Sequence, residues 1–457
     1  MQRISAIVWL TWKAAFRFRL VWVLAILLAG SVVVLPLLLR DDGTARGFTQ
    51  ILLTYTLGVI TVLLGLATLW LSCGTLARDI EDCQIQLIAV KPISRWQIWL
   101  GKWLGIVSLD ALLLALSGAC VVGVLQYRAG HLPAAEQQIL RREILVSRGS
   151  AKEAPPDLEG DVERTLQQRL KQAQEGVNIR QVRGQIREQV KAANQIVPPN
   201  MLRRWKIDLG VRRFTLRDEP LFLRVRFYAA QTNAAGTYYG IWEIGPPDSP
   251  QRQSTVQRLP ANAFQEFTIP PNLWDAQGVL TIDFVNRNEV ALLFPLEDGL
   301  ELLYPEGSFT LNFARGLAIV LCWLALLASL GLAASSLLSF PVAAFVSVSL
   351  LGISLSSNTL TSVIENGTVT GMNEETGVAG QSGLDFVVVP CFKLLVGILN
   401  MVQGYSPIDA LSTGRSIPWS QVGLAAAQIV LLLGGLLAIV GMIILTRREL
   451  ATAQGNS

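Results

Sequence analysis

Six long apolar runs, nearly free of charged residues, constrain the fold of this chain more than any other feature. A bilayer core requires about twenty consecutive apolar residues of helix, and lipid cannot satisfy the open backbone of irregular segments. The runs are Leu20–Leu39, Ile51–Cys73, Trp103–Leu125, Phe313–Leu337, Val342–Val363 and Val422–Leu445. With 51% hydrophobic and 16% charged residues, the 457-residue chain is too apolar for an ordinary soluble protein. We predict an α-helical polytopic membrane protein with six transmembrane helices.

Charge and cysteine usage exclude several function classes. The net charge of +4 is small for this length, and no basic stripe interleaved with stacking aromatics appears, so we expect no nucleic-acid partner. The five cysteines show neither metal-ligand spacing nor a disulfide framework. The single histidine, His131, is far more typical of a surface residue than of a metal ligand. We therefore predict no metal site and no catalytic residue.

The first nineteen residues combine basic and apolar side chains at helical spacing. Arg3, Lys13 and Arg17 alternate with Ile7 and Trp12 in a basic amphipathic pattern. Such a helix lies in the plane of the membrane interface. We predict an interfacial helix on the inner side, for which a plain anchoring role stays open.

A charged segment, residues 78–102, separates the second apolar run from the third. Its basic residues are Arg78, Lys91, Arg95 and Lys102. Lys and Arg near the ends of membrane spans mark the cytoplasmic side, so we place this loop inside. Its first half, Arg78–Val90, has the spacing of a short surface helix, which Pro92 ends because the residue before a proline is disfavoured in α conformation.

The acidic helix, the sequence Lys91-Pro92-Ile93-Ser94-Arg95, and Gly101-Lys102 before an apolar span together resemble permease subunits of type 2 ABC exporters. Relatives of this kind include permeases grouped with copper-enzyme maturation and gliding motility. The resemblance covers the membrane part and the closing Arg447-Arg448-Glu449-Leu450, but not the large insert after Gln126, and Cys83 departs from the family pattern. It implies that loop 74–102 contains a coupling helix that docks on an ATPase subunit. The implied coupling residues are Asp79, Glu81, Asp82, Lys91, Pro92 and Arg95.

The resemblance also implies partners and an energy source. The chain has no Gly-x-x-x-x-Gly-Lys-Ser/Thr loop to cradle a nucleotide, so ATP and Mg²⁺ are expected in a partner ABC ATPase and no cofactor in this chain. A second permease chain, identical or different, is expected to complete a dimer surrounded by membrane lipid. The alternative for Lys91, Arg95 and Lys102 is plain anchoring at the headgroups.

Between the third and fourth spans the chain carries a large polar insert, which the topology places outside the cytoplasm. Residues 126–205 are rich in charged side chains, with apolar residues recurring at three- to four-residue steps from Val162 to Ala193, as in an amphipathic helix or helical hairpin. This segment is either a stalk that binds a partner or a solvated cover on the following domain. We favour the cover.

Residues 206–312 have the period-two alternation of half-buried strands. Leu280, Ile282 and Phe284, for example, alternate with Thr281 and Asp283. Short strands separated by Gly/Pro turns predict an antiparallel β-sandwich similar to a jelly roll. The pattern faintly resembles sugar-binding β-sandwich modules, which implies an outer ligand platform for a glycan or an envelope protein. Its candidate stacking residues are Tyr238, Tyr239, Trp242 and Trp274, although aromatic residues of a sandwich more often fill its core.

Four polar residues within the predicted spans are candidates for a translocation path. They are Asp110, Ser354, Ser357 and Asn358. An acid within a span is by default a functional candidate, but for Asp110 we favour a hydrogen-bonded structural role. The polar residues of the fifth span must face protein or water, and hydrogen bonding between helices would explain them equally well.

The apolar segment 384–402, broken by Pro390 and containing Lys393, must not cross the membrane if Arg447 is to lie inside. We predict a re-entrant or interfacial segment on the outer side, as in the resembled family. The alternative is a crossing, which gives seven spans and an outer C-terminus. The predicted location is the cytoplasmic (inner) membrane of a bacterium, with both termini cytoplasmic.

The resulting organisation has four parts: 1–125 with spans one to three, 126–205 helical, 206–312 β-sandwich, and 313–457 with spans four to six. The predicted function is that of the permease subunit of an ATP-driven ABC exporter, without enzymatic activity of its own. A non-transporting transmission or scaffold protein, which couples a cytoplasmic ATPase to an envelope partner, is the alternative. A membrane enzyme acting alone has little support, because Asp110 is a lone buried acid.

Overall fold

A computed structural model describes most of the chain. The described residues are 2–17, 20–38, 45–82, 93–140, 144–170, 179–231, 236–247, 249–355, 360–361, 363–364 and 385–447. The chain divides into two compact units, a helical one comprising Met1–Val146 and Ser308–Ser457, and a sheet-rich one comprising Ser147–Gly307. The predicted insert, residues 126–312, contains the whole sheet-rich unit.

The helical unit contains all of the long apolar helices. Its N-terminal part has helices α1 Gln2–Arg17, α2 Leu20–Leu38, α3 Ala45–Glu81, α4 Arg95–Ala129 and α5 Ala134–Ile139. Its C-terminal part has α8 Phe309–Leu337, α9 Phe340–Leu355, α10 Asp385–Gln403, α11 Pro407–Ser412, α12 Trp419–Ala425 and α13 Gly435–Arg447. A π-helical stretch, Ala426–Gly434, joins α12 to α13, so that the last helical run continues from Trp419 to Arg447.

Five helices of the described chain are long and apolar enough to cross a membrane. They are Gly47–Glu81, Arg95–Ala129, Phe309–Leu337, Val388–Ser412 and Trp419–Arg447. A sixth results if α1 and α2, which meet at 71°, form one broken span. Several long apolar helices of this kind indicate a membrane-embedded protein.

The predicted spans two, three, four and six each lie within one of these five helices. The predicted first span corresponds to α2, and the fifth to α9, a helix of only 16 residues. The remaining long helix, Val388–Ser412, includes most of segment 384–402, for which we predict a re-entrant course. Its length and composition suit a crossing as well, so that course stays a prediction.

Large apolar side chains are exposed along most of these helices. The exposed fraction is 70% for Ile26, 74% for Phe345 and 73% for Leu431. Exposing many large apolar side chains to water is unfavourable. Lipid is the solvent that removes this cost.

Helix α8 lies at the centre of the helical unit and packs against α3, α4, α9 and α13. Many of its buried residues are small, including Ala328, Ser329 and Gly331. A Cβ atom on Gly331 would lie 1.9 Å from Oγ of Ser72 on α3. Within lipid, small residues of this kind let helix backbones approach closely and gain packing energy.

The N-terminal helix α1 packs on α4 through two glycines spaced four residues apart. A Cβ on Gly101 would lie 2.8 Å from Ile7, and one on Gly105 would lie 2.8 Å from Thr11. The indole of Trp12 donates hydrogen bonds to the Gly105 carbonyl at 3.1 Å and to Ser108 Oγ at 2.9 Å. The amphipathic helix predicted for this region is therefore present and has a specific partner.

The sheet-rich unit contains eleven strands among its described residues. They are β1 Val146–Ala151, β2 Ile196–Val197, β3 Leu202–Asp208, β4 Leu221–Val225, β5 Tyr228–Ala229, β6 Thr237–Ile244, β7 Gln253–Pro260, β8 Gln265–Ile269, β9 Val279–Asn286, β10 Leu292–Leu293 and β11 Leu300–Ser308. Two four-stranded sheets have the orders β1-β11-β4-β8 and β3-β9-β6-β7, and a small sheet has the order β2-β10-β5.

One hydrophobic core draws residues from both four-stranded sheets. It includes Leu223 of β4 and Leu302 of β11 from one sheet, and Trp205 of β3, Trp242 of β6 and Ile282 of β9 from the other. The predicted apolar face of β9 is confirmed, since Leu280, Ile282 and Phe284 belong to this core. The strand is not half-buried, however, because Thr281 and Asp283 on its other face are buried as well. Gly245, with φ of +119°, ends β6 in a conformation that disfavours other residues, as the predicted turn requires.

Helices α6 Leu158–Leu170 and α7 Ile179–Gln195 form a hairpin with a small core of its own. Val162, Leu166 and Ile186 are buried against each other, separately from the core between the sheets. Arg183 pairs with Glu163 and Arg187 with Glu159 across the hairpin. The apolar stripe of this segment is therefore occupied within the hairpin, and the favoured interpretation as a cover on the sandwich stays a prediction.

Candidate functional site

A buried ion pair joins α3 to α4 at the end of the predicted coupling loop. Asp79 lies in the last turn of α3, and its Oδ2 is 2.6 Å from Nζ of Lys102. Lys102 is only 6% exposed and also donates a hydrogen bond to the Thr75 carbonyl at 2.9 Å. Removing a lysine from water is costly unless its charge is paired, so this contact fixes the two helices together.

The next acidic residue contacts a third helix. The Oε1 atom of Glu81 accepts a hydrogen bond from the Phe340 backbone N–H at 3.0 Å, at the start of α9. A carboxylate at the start of a helix accepts a hydrogen bond from a free backbone N–H, and its negative charge is attracted to the positive end of the helix dipole. The guanidinium of Arg78 lies 4.7 Å from the centre of the Phe340 ring, which strengthens the junction of α3 and α9.

Arg95 begins α4 and contacts the last helix of the chain. Its Nη1 donates to the Leu445 and Thr446 carbonyls, both at 2.7 Å. The last carbonyls of a helix have no partner within it and carry the negative end of its dipole. Arg95 therefore caps α13, and its anchoring at the headgroups stays a prediction.

Three of the six implied coupling residues therefore connect helix ends of the helical unit. Asp79, Glu81 and Arg95 link α3, α4, α9 and α13. Asp82 is exposed directly after α3. The predicted surface helix Arg78–Val90 differs at its start, since Arg78–Glu81 continues α3 without a break. Residues 83–92, with Lys91 and Pro92, lie outside the described part of the chain.

Asp110 lies in the buried centre of α4 and is 2% exposed. Oγ1 of Thr68 on α3 donates a hydrogen bond to its Oδ2 at 2.9 Å. The favoured interpretation, a hydrogen-bonded acid within the helix packing, agrees with this geometry.

The other candidates for a translocation path are only partly described. Ser354 donates a hydrogen bond to the Leu351 carbonyl of its own helix at 2.6 Å. This bond satisfies the hydroxyl without an aqueous path. Ser357 and Asn358 lie outside the described residues.

The four aromatic residues proposed as an outer platform occupy different environments. Tyr238 and Trp242 are only 3% and 1% exposed and belong to the core, which corrects their assignment as stacking surfaces. Trp274 is half-buried against the same core. Tyr239 is 47% exposed and has Arg258 5.0 Å above its ring. The four residues therefore do not form one platform.

Sequence reasoning missed several contacts of this site. The Gly101-x-x-x-Gly105 spacing is a recognised signal for close helix approach in membranes and could have been used. By contrast, nothing in the sequence pairs Thr68 with Asp110, or Arg95 with carbonyls some 350 residues away. Those pairings arise only when the helices are assembled.

The described residues include no group of three or more His, Cys, Asp or Glu side chains arranged to hold a metal ion. The contacts at the helix ends are instead charge-assisted hydrogen bonds between side chains and backbone or between two side chains. Comparisons with models of protein families, with curated proteins and with solved structures find no match to this chain.

Proposed function

We propose that this chain is the permease subunit of an ATP-driven ABC exporter. A separate ATPase subunit would bind the loop between α3 and α4 on the cytoplasmic face, and a second permease chain would complete the transport unit. This chain would contribute no nucleotide site and no catalysis. The proposal places it in the cytoplasmic membrane of a bacterium, with both termini inside.

One observation carries this proposal. The residues that flank loop 83–92 are tied to the ends of four helices, through Asp79 with Lys102, Glu81 with the N–H of Phe340, and Arg95 with the carbonyls of α13. A partner that displaced this loop would thereby act on α3, α4, α9 and α13 at once. Coupled motion of several spans is what a change of access across the membrane requires.

The finer fold assignment belongs to the same proposal. We infer six transmembrane helices and an extracytoplasmic insert whose β part is a jelly roll. Counted in chain order, the eight strands of the two larger sheets have the orders 1-8-3-6 and 2-7-4-5. Consecutive strands alternate between the sheets except at the fourth and fifth, β6 and β7, which form a hairpin. This alternation supports the jelly roll.

Co-purification from the native membrane tests the coupling proposal. We expect a stoichiometric ATPase with the wild-type chain and its loss in Asp82→Lys, which reverses an exposed charge at the loop without touching the helix contacts described above. Arg258→Glu reverses an exposed charge in the sheet-rich unit and should retain the ATPase. Recovery of the chain without any ATPase, under conditions that preserve other membrane complexes, would contradict the permease assignment.

Cysteine accessibility tests the topology. A cysteine placed at position 450 should react with a membrane-impermeant reagent only after the cytoplasmic side is opened. Reaction from the outer side alone would require seven spans and an outer C-terminus.

The hairpin favours a second candidate function, a transmission protein that moves an envelope partner without transporting a substrate. Helices α6 and α7 bury their apolar residues against each other and leave charged faces exposed, as a partner-binding stalk would. ATPase activity of the reconstituted complex separates the two functions. Stimulation by a soluble or lipid cargo supports transport, whereas stimulation only by an envelope protein supports transmission.

A further inference from the structure

A cavity of about 490 Å³ lies in the sheet-rich unit, where the end of α7 meets the start of β3. Its polar lining consists of Glu153, Asn194, Arg203 and Arg204, and its apolar lining includes Ile196 and Leu202. A small-molecule site commonly combines apolar walls with a few polar groups that fix orientation. Nothing in the proposed permease function uses this cavity.

The guanidinium of Arg203 has unused hydrogen-bonding capacity at this cavity. Its guanidinium carbon lies 4.7 Å from the centre of the Trp205 ring, which holds the side chain in place. Its Nη1 is buried and has no hydrogen-bond partner among the described residues. Burial lowers the pKa of Arg203, and the charge of Glu153 acts in the opposite direction. A buried guanidinium donor without a partner is unusual, because such groups normally find an acceptor.

The neighbouring polar groups have partners already. Arg204 donates to both carboxylate oxygens of Asp283, at 2.7 and 2.8 Å. Oε1 of Glu153 accepts the backbone N–H of Lys206 at 3.2 Å. Arg203 is therefore the donor that a ligand would engage, through a shift of its guanidinium that brings the buried Nη1 to the cavity, and Glu153 brings a negative charge to the same cavity.

The chemistry of these groups selects a class of ligand. A guanidinium recognises a carboxylate with two parallel hydrogen bonds. Ile196 and Leu202, 39% and 52% exposed, present apolar surface beside it. Glu153 disfavours ligands of higher negative charge, such as phosphate, and favours an ammonium group.

We propose that this cavity binds the carboxylate of a small apolar ligand, with Arg203 as the anchor and Ile196 and Leu202 as the apolar contact. Two sources share this chemistry: a free apolar amino acid and the C-terminal residue of a peptide. The proposal stands independently of the permease assignment.

Calorimetric titration of the purified full chain in detergent tests it, with L-leucine, N-acetyl-L-leucine, L-leucinamide and inorganic phosphate as probes. We expect the two carboxylates to bind and the amide and phosphate not to. Tighter binding of leucine than of N-acetyl-leucine identifies the free amino acid, and the reverse order identifies the peptide terminus.

Two variants make the test specific. Arg203→Gln removes the charged donor and should weaken carboxylate binding about 10- to 100-fold, as expected for loss of a charge-assisted hydrogen bond. Arg258→Gln removes an arginine that lies over Tyr239, outside the cavity lining, and should bind like wild type. Leu202→Glu places a negative charge at an exposed position of the lining and should abolish binding even if Arg203→Gln fails to fold. Absence of binding by both carboxylates, or unchanged binding in a folded Arg203→Gln or Leu202→Glu chain, would overturn the proposal.

Discussion

Asp79 and Lys102 form an ion pair of 2.6 Å between α3 and α4, with the lysine almost completely buried. Removing one member leaves the other charge without compensation. We therefore expect Lys102→Met to reduce the free energy of unfolding by about 3 kcal/mol, measured by denaturation in mixed micelles. The exchanged pair, Asp79→Lys with Lys102→Asp, should recover at least half of that loss.

Lys13→Met is the matched control for this experiment, since Lys13 is exposed on α1 of the same unit. It should change stability little, because isolated surface charges contribute little. An equal loss in the Lys13 and Lys102 variants would mean that the ion pair does not determine the stability of this junction.

The packing of α1 on α4 depends on the absence of a side chain at Gly105. A Cβ there would lie 2.8 Å from Thr11, so Gly105→Leu should force the helices apart at a cost of about 1–3 kcal/mol. Hydrogen exchange in residues 5–15 should accelerate. Gly123→Leu, on the same helix, meets no atom within 4 Å and should leave α1 protected. Equal exchange in the two variants would refute this packing role.

Asn312 connects the start of α8 to the segment before α12. Its Nδ2 donates to the Arg415 carbonyl and its Oδ1 accepts the Ile417 N–H, both at 2.7 Å. Asn312→Ala leaves both backbone groups unpaired in a buried place, at a cost of about 1–3 kcal/mol. We expect faster hydrogen exchange at residues 415–417. Leu311→Ala, at an exposed position of the same helix turn, should leave this exchange unchanged, whereas equal acceleration in the two variants would mean that the Asn312 hydrogen bonds do not hold the segment.

Asp283 makes the stability of the sheet-rich unit depend on pH in the acidic range. Burial acts to raise the pKa of its carboxyl, but the hydrogen bonds and charges of Arg204 and Arg252 outweigh it and hold the pKa below the ordinary value of 3.8. A carboxyl with a lowered folded-state pKa stabilises the fold above its unfolded-state pKa, and this contribution is lost as the pH falls through the folded-state value. Protection of β3 and β9 should therefore fall below pH about 4.

Asp283→Asn supplies the comparison. The variant should have lower protection than wild type at pH 7 and a flatter decline in acid, after correction for the intrinsic exchange rate. A decline of the same steepness in both chains would assign the acid sensitivity to other carboxyl groups.

Local patterns in the sequence predicted the elements well. Four of the six apolar runs give helices long enough to span lipid, and the alternation from Leu280 to Phe284 gives β9, which pairs with β3 along one edge and with β6 along the other. What could not be predicted are contacts between distant elements. The cap that Glu81 provides for α9 depends on a neighbour 259 residues away.

In the candidate site, too, local features could be predicted from the sequence, whereas contacts between distant residues could not. The charge pattern of residues 78–102 located the charged junction, but not which helix each charge contacts. The aromatic residues of β6 illustrate a limit of periodicity, since Tyr238 and Trp242 share a face with the core while Tyr239 lies on the other face. Alternation separates the two faces of a strand, and only the packing of the second sheet decides which face is buried.

The first and last long strands of the sheet-rich unit, β1 and β11, are hydrogen-bonded neighbours in one sheet. The chain therefore leaves the helical unit and returns to it through adjacent strands, although more than a hundred residues lie between them. Chain ends that lie close together are what allow one domain to be inserted into another. The sheet-rich unit consequently meets the geometric condition for a domain that is inserted into another as a single cassette.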